Sequence, residues 1–196
     1  IYDNEGVTMN IQSVIKEIQN YVPQNQDEIA CQKEMLSFLH TFKSQAFSRE
    51  NEEGHFSASC IVVNEEKTKV LFVYHLIYQS WSFVGGHADG NMDLFRIAKK
   101  ELKEETGVTP LKEYPHFVAI QKLFVPEHIK HEKTIKAHYH YDVCYLFMAK
   151  ESAPLKIKED ENKAVAWLPI SELSSYVSEA HMLPIYQKIL RRIDLL

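Results

Sequence analysis

The first fifty residues place their apolar side chains at helical spacing. Two runs recur every three or four positions, and Pro23 together with the polar residues 24–26 separates them. The first run is Ile11, Val14, Ile15, Ile18 and Val22, and the second is Cys31, Met35, Phe38, Leu39 and Phe42. The pattern predicts an N-terminal helical hairpin over residues 1–50, which a charged stretch separates from a second domain over residues 51–196.

Past that charged stretch the pattern changes to short runs of β-branched and aromatic residues. Strands are predicted at residues 59–63, 70–74, 81–84, 117–124 and 139–149, and a further short strand ends at Trp167. Helices are predicted from Asp93 to Thr106 and from Pro184 onward, with Asp93 suited to the N-cap and Gly107 to a left-handed C-terminal cap. Strands that alternate with helices favour one α/β domain preceded by a helical arm.

The composition is that of an ordinary folded domain. Of the 196 residues 45% are hydrophobic and 25% are charged, so the chain can bury a substantial core. The formal net charge of −5 provides no basic field for a nucleic acid duplex or an anionic membrane. We therefore expect neither of them as a partner.

Cysteine usage and hydropathy bear on location. Cys31, Cys60 and Cys144 are odd in number, widely spaced and outside any C-x-x-C motif, so neither a disulfide framework nor a zinc ribbon is indicated. The first thirty residues lack the apolar segment of a signal peptide, and no stretch has the length of a membrane-spanning helix. We expect a protein of the reducing cytoplasm.

The most informative segment, residues 85–108, reads GGHADGNMDLFRIAKKELKEETGV. On a helix, Glu101, Glu104 and Glu105 share an arc of about 100° that borders the apolar face. Like charges repel at this spacing, and the helix dipole disfavours anions in the last helical turn. Local electrostatics therefore argues against placing three carboxylates here.

Two interpretations account for this acidic cluster. In the first, the helix is solvated and Lys100 pairs with Glu104, which dilutes the repulsion. In the second, a hard divalent cation such as Mg²⁺ lies over the cluster and converts repulsion into coordination. Gly85, Gly86 and Gly90 support the second interpretation, because they let the preceding loop fold back towards the carboxylates.

This segment resembles the Nudix box, G-x5-E-x7-R-E-U-x-E-E-x-G-U, in which U is a bulky aliphatic residue. Seven of the nine defined positions agree, namely Gly86, Glu101, Leu102, Glu104, Glu105, Gly107 and Val108. Met92 stands where the family has glutamate, and Lys100 stands where it has arginine. Flanking strand patterns extend the resemblance to about residues 55–175, without the helical arm.

The resemblance implies a Nudix-type α/β/α sandwich with a mixed sheet. It also implies a hydrolase that cleaves a pyrophosphate link in a nucleoside diphosphate joined to another group, with Mg²⁺ or Mn²⁺ as the cofactor. By the same resemblance, Glu101, Glu104 and Glu105 are the catalytic carboxylates and the metal ligands, and the carbonyl of Gly85 is a further ligand.

The resemblance defines the general base and the substrate-binding residues less closely. Family members differ in the acid that accepts the proton of the attacking water, so Glu104 is the first candidate and Glu161, outside the box, is the alternative. Gly86 and His87 are the candidate substrate-binding residues. His87 lies near the phosphates if the loop folds as in the family, and otherwise it is a solvated loop histidine.

The two departures from the box keep a second function open. In the family the side chains at these positions pair and help hold the box loop against the helix, whereas Met92 and Lys100 lack that pairing. The alternative is a catalytically weak or inactive Nudix-like module that binds or senses a small nucleotide. The helical arm is a candidate homodimer interface or a cover for the substrate cleft.

A further group of polar residues opens the predicted strand 139–149. His138, His140 and Asp142 share one face of this strand because side chains alternate with period two. Their spacing matches no zinc-binding pattern. Substrate contacts or ordinary hydrogen bonds are therefore favoured over a second metal site.

Overall fold

The computed structural model describes residues 9–130 and 133–193. The helices are α1 (Ile11–Asn20), α2 (Gln26–Phe42), α3 (Leu94–Thr106), α4 (Leu173–Tyr176) and α5 (Leu183–Ile193), with short 3-10 helices at Lys43–Phe47 and Ile170–Glu172. The strands are β1 (Gly54–Val63), β2 (Lys69–His75), β3 (Ser80–Ser82), β4 (Val84–His87), β5 (Lys112–Val125), β6 (His128–Lys130), β7 (Lys133–Ile135), β8 (His138–Met148) and β9 (Asn162–Pro169).

Seven of the described strands form one mixed sheet in which β1 is central. The order is β3-β2-β1-β8-β5, with β4 paired to β1 and β9 paired to β2. The β1–β8 pairing is parallel, while the other pairings of the sheet are antiparallel. Strands β6 and β7 form a separate two-stranded sheet.

Helices cover both faces of this sheet. Tyr141, Val143 and Tyr145 of β8 face a core that they share with α1, α2 and α3. Cys144 and Leu146, which alternate with them, face a second core against α4 and α5. This three-layer α/β/α arrangement confirms the fold class predicted from the sequence.

The two N-terminal helices belong to the first core. Ile18, Met35 and Leu39 of the arm are completely buried in the same cluster as the sheet residues. The arm's apolar face is thus used within the chain. The homodimer interface remains a prediction.

An ion-pair network also joins the arm to the last helix. Glu28 of α2 is 1% exposed, and its carboxylate lies 2.5 Å from the guanidinium of Arg192 and 3.0 Å from the ammonium of Lys188. Arg192 also donates to the Tyr21 hydroxyl and to the Val118 carbonyl. The network fixes the arm against α5 at the edge of the sheet.

Element boundaries differ from the sequence prediction mainly around the glycine pair. The predicted strand 81–84 is two short strands, and β4 continues through both glycines to His87 because it pairs with β1. The hairpin β6–β7 was not predicted. In the described part of the chain, none of the helices is both long enough and apolar enough to cross a membrane.

Candidate active site

Helix α3 is positioned by a cap at each end. The Asp93 carboxylate accepts a hydrogen bond from the Arg96 backbone N–H at 3.0 Å, as expected for an N-cap. Gly107 adopts a left-handed φ of 74°, and its N–H donates to the Lys103 carbonyl at 3.0 Å. Both caps predicted from the sequence are confirmed. They fix the length of the helix that carries the acidic cluster.

Glu105 is held on both of its carboxylate oxygens. The Gly85 N–H donates to Oε1 at 3.2 Å, and the Asn162 side-chain amide donates to Oε2 at 2.8 Å. The Glu105 residue is only 3% exposed, and this burial raises its pKa to about 7. The two hydrogen bonds oppose the shift, while the charges of Glu101 and Glu161 add to it.

Glu101 and Glu104 share one ammonium group. The Nζ of Lys100 lies 3.2 Å from Glu101 Oε1 and 3.1 Å from Glu104 Oε2. The Glu101 side chain is 12% exposed and that of Glu104 is 44% exposed. The solvated Lys100–Glu104 pair of the first interpretation is therefore present, and it extends to Glu101.

Gly86 lies directly against Glu101. A Cβ built at Gly86 would approach the Glu101 side-chain carbons Cδ and Cγ to 2.6 and 2.7 Å. Real side-chain contacts are never this short, so only glycine lets the strand pass the carboxylate at this distance. The box glycine thus sets the position of the first box glutamate.

We expect Gly86→Ala to weaken divalent-cation binding by about 10- to 100-fold, because the new methyl group displaces the Glu101 carboxylate. The clash involves the end of a flexible side chain, so the thermal unfolding midpoint should change little. Titration with Mn²⁺ followed by electron paramagnetic resonance measures the affinity. An unchanged Mn²⁺ affinity would contradict the role given to Gly86.

Glu161 lies beside the box carboxylates although it is distant in sequence. Its Oε2 is 2.8 Å from the Lys158 ammonium, and its charge raises the pKa of Glu105. Sequence reasoning identified Glu161 but missed Asn162 and Lys158, whose positions depend on the pairing of β9 with β2. Glu161 is therefore near enough for its charge to act on Glu105, and its role as a base stays a prediction.

The box loop is braced by the N-terminal arm. Arg49 makes a two-pronged ion pair with Asp89, with both nitrogen–oxygen distances at 2.5 Å, and the Gly90 N–H donates to the Phe47 carbonyl at 2.8 Å. Met92 packs against the core that contains the arm helices. Met92 and Lys100 cannot form the glutamate–arginine pair that the box pattern has at these positions. The contacts with Arg49 and Phe47 hold the loop instead.

Arg49→Ala should loosen this loop without unfolding the protein. Both partners of the ion pair are half exposed, and such pairs contribute at most about 1 kcal/mol. We therefore expect amide hydrogen exchange in residues 85–93 to accelerate by up to about fivefold. Lys99→Ala, which breaks the Lys99–Glu113 pair, is the control. Equal exchange in both variants would contradict the brace.

The histidines of β8 meet two further histidines. The parallel β1–β8 register places His55 opposite His140, and the ring of His87 lies 4.8 Å from that of His140 and 5.1 Å from that of His55. His87 therefore faces this group in the structure. Sequence reasoning missed His55 because parallel pairing between distant strands leaves no local signal.

Asp142 belongs to a different arrangement. Its buried carboxylate accepts hydrogen bonds from Ser57 Oγ at 2.9 Å, Ser59 Oγ at 2.6 Å and Gln121 Nε2 at 2.5 Å. Burial raises the pKa of Asp142 to about 6, against the effect of these three donors. The carboxylate cross-links neighbouring strands by hydrogen bonds, as the favoured interpretation of the sequence expected.

The acidic cluster suits a hard divalent cation. Carboxylate oxygens are the preferred ligands of Mg²⁺ and Mn²⁺, and Glu101, Glu104 and Glu105 lie within about one turn of α3. The Lys100 ammonium already lies between Glu101 and Glu104, which shows that the pair attracts positive charge. The carboxylate chemistry of Glu101, Glu104 and Glu105 fits such an ion, and their role as its ligands together with the Gly85 carbonyl stays a prediction.

Comparison with known proteins gives one family match. A family model described as the NUDIX domain matches residues 54–192. A search of curated proteins found no match.

Solved structures share the fold at low sequence identity. An Ap4A hydrolase of C. elegans, solved as a binary complex, is 16% identical with a TM-score of 0.55, covering 72% of this chain and 98% of its own. The NUDIX domain of Shewanella oneidensis NrtR, complexed with ADP ribose, is 16% identical with a TM-score of 0.55, covering 80% and 97%. A NUDIX family hydrolase from Clostridium perfringens is 18% identical with a TM-score of 0.52, covering 71% and 97%.

Proposed function

Because the chain belongs to the Nudix hydrolase family, we propose that it hydrolyses a pyrophosphate link in a nucleoside diphosphate joined to another group, with Mg²⁺ or Mn²⁺ as the cofactor. The observation that carries this proposal is the contact of Glu101 and Glu105 with the glycine strand, on the same helix that carries Glu104. Glu101 lies against Gly86, and Glu105 accepts a hydrogen bond from Gly85.

A divalent cation, when bound, polarises the diphosphate oxygens and lowers the pKa of a water molecule. Glu101, Glu104 and Glu105 would hold it, together with the Gly85 carbonyl. The Lys100 ammonium must then leave its place between two of these carboxylates. That movement costs little, because Lys100 and Glu104 are largely exposed and such pairs are weak.

We assign the proton-accepting role to Glu104. Both oxygens of Glu105 already accept hydrogen bonds from Gly85 and Asn162, so this carboxylate is less free to take a proton. Glu161 pairs with Lys158, and this pair is less exposed than the Lys100–Glu104 pair. Of Glu104, Glu105 and Glu161, Glu104 has the ion pair that solvent or substrate can most easily replace, so it is best able to accept a proton.

The family and the printed names of two structural neighbours support the proposed substrate class. The C. elegans neighbour is an Ap4A hydrolase, and the Shewanella oneidensis domain was solved with ADP ribose. Ap4A and ADP ribose both contain an adenosine phosphate chain joined to a further group. The chain's net charge of −5 is compatible with such anions, because the cofactor supplies positive charge at the site.

The second candidate function is a nucleotide-binding module with little or no turnover. The Lys100 ammonium favours it, because it pairs with two of the three box carboxylates and competes with a cation for them. Met92 favours it too, since it packs into the core instead of joining the polar site. This module would bind ligand without producing product.

A substrate panel distinguishes the two functions. Ap4A, ADP-ribose, NADH, nucleotide sugars and nucleoside triphosphates are incubated with the protein and Mg²⁺ or Mn²⁺, and products are separated by chromatography. The hydrolase predicts turnover of at least one compound and its loss on chelation. Binding of a panel member without turnover under any metal condition would instead support the module.

A further inference from the structure

Four imidazole rings gather where β1, β4 and β8 lie side by side. The ring of His55 lies 5.1, 5.0 and 4.8 Å from those of His87, His138 and His140, respectively. The pairing of the strands brings these rings together. His55 of β1 lies opposite His140 of β8, and Ser57 of β1 lies opposite His87 of β4. The group is therefore part of the regular structure of the sheet.

The ring nitrogens of three of these residues have the spacing of metal ligands. One nitrogen each of His55, His138 and His140 lies within 4.8 Å of the other two. The Nε2 atoms of His138 and His140 are 3.1 Å apart, and without a metal they share a hydrogen bond. Two nitrogen ligands of a tetrahedral zinc ion, each about 2.0 to 2.1 Å from the metal, are separated by about 3.4 Å.

A backbone carbonyl fixes the tautomer of His138. Its Nδ1 lies 2.8 Å from the carbonyl oxygen of Lys136, which can only accept a hydrogen bond. Nδ1 therefore carries the proton, and in the neutral ring Nε2 carries the lone pair. A carbonyl that holds the outer nitrogen in this way is the usual support of a metal-ligating histidine.

His55 supplies an independent indication of a ligand. The residue is 3% exposed, and within the described part of the chain no hydrogen bond of ordinary geometry reaches its ring nitrogens, although the nearby Asn51 backbone acts to raise the pKa of the ring. Buried polar groups are almost always paired, so a buried imidazole that faces two others and makes no well-formed hydrogen bond to the described residues is suited to hold a ligand. A metal ion would accept the His55 lone pair and remove this deficit.

We propose that His55, His138 and His140 bind a transition-metal ion of the zinc class, at a site separate from the box carboxylates. Imidazole nitrogen selects Zn²⁺ and related ions, whereas carboxylate oxygen selects Mg²⁺. Three protein ligands leave a fourth position for water or a substrate oxygen. His87, two residues beyond Gly85, places this position beside the box loop.

The test is zinc binding by the full chain without an affinity tag. After treatment with a chelator, the protein is titrated with Zn²⁺ in competition with a chromophoric chelator, with Mg²⁺ in excess to occupy the carboxylates. We expect one Zn²⁺ per chain and an affinity at least about tenfold lower in His138→Ala and His140→Ala. His116→Ala, an exposed histidine on β5, should bind as the wild type does.

Further variants test zinc binding independently of the proposed hydrolase activity. Glu104→Gln should retain zinc affinity whether or not the chain hydrolyses nucleotides. Since His140 is only half-buried, His140→Ala should fold, and circular dichroism of the metal-free proteins checks this. Absence of zinc binding, unchanged affinity in His138→Ala and His140→Ala, or zinc binding that requires Glu104 would each overturn the site.

Discussion

Glu104→Gln should reduce kcat by about 100- to 10,000-fold on any substrate that the wild-type chain hydrolyses. Glutamine preserves the size of the side chain and removes its negative charge and its ability to take a proton, which is worth this factor when the group is a general base. The Lys100 ammonium would retain Glu101 as its partner, so the local fold should persist.

Steady-state kinetics at saturating Mg²⁺ measures this effect, and Glu172→Gln serves as the matched control. Glu172 is an exposed glutamate in the 3-10 helix after β9. Its replacement should leave kcat within about twofold of the wild type, as expected for an exposed surface position. If Glu104→Gln retained wild-type kcat while Glu161→Gln lost it, the base would be Glu161.

Glu28→Ala should lower the free energy of unfolding by about 3 to 5 kcal/mol. Removing one partner from a buried ion pair leaves the others as uncompensated buried charges. Here Arg192 and Lys188 would lose their carboxylate, and the arm would lose its polar attachment to α5. Urea unfolding measures the change. Glu34→Ala on the same helix breaks an exposed pair with Lys122 and should cost at most about 1 kcal/mol.

The stabilisation that Glu28 provides should decrease at acidic pH. Burial raises the pKa of Glu28, but the Gln24 N–H and the charges of Lys188 and Arg192 outweigh it and hold the pKa below 4.5. The folded protein therefore binds the proton less well than the unfolded chain. The stabilisation is complete above about pH 4.5 and is lost as the pH falls through the folded pKa. An equal difference between wild type and Glu28→Ala at pH 7 and pH 3 would contradict this account.

The local features of the fold could be predicted from the sequence. Helix α3 and its caps follow from apolar spacing, Asp93 and Gly107, and the structure confirms them. The two arm helices follow from the same kind of spacing. These features depend on neighbours within one helical turn, which a single sequence displays directly.

The features that depend on strand pairing could not be predicted in this way. His55 joins His140 only because β1 and β8, 85 residues apart in register, run parallel. The Asn162 side chain of β9, 57 residues further along the chain, donates a hydrogen bond to Glu105. Met92 departs from the box pattern in the sequence, and only the fold shows that it packs against the arm's core.

In the proposed reaction, a divalent cation and the box carboxylates direct water to a pyrophosphate link. Hydrolysis of an accepted nucleotide substrate in ¹⁸O-labelled water, with Mg²⁺ or with a chelator, tests it most directly by mass spectrometry of the products. Because water attacks phosphorus in the proposed reaction, we expect the label in a phosphate group of one product, and only when metal is present. Label in a sugar hydroxyl, or equal turnover with the chelator, would contradict it.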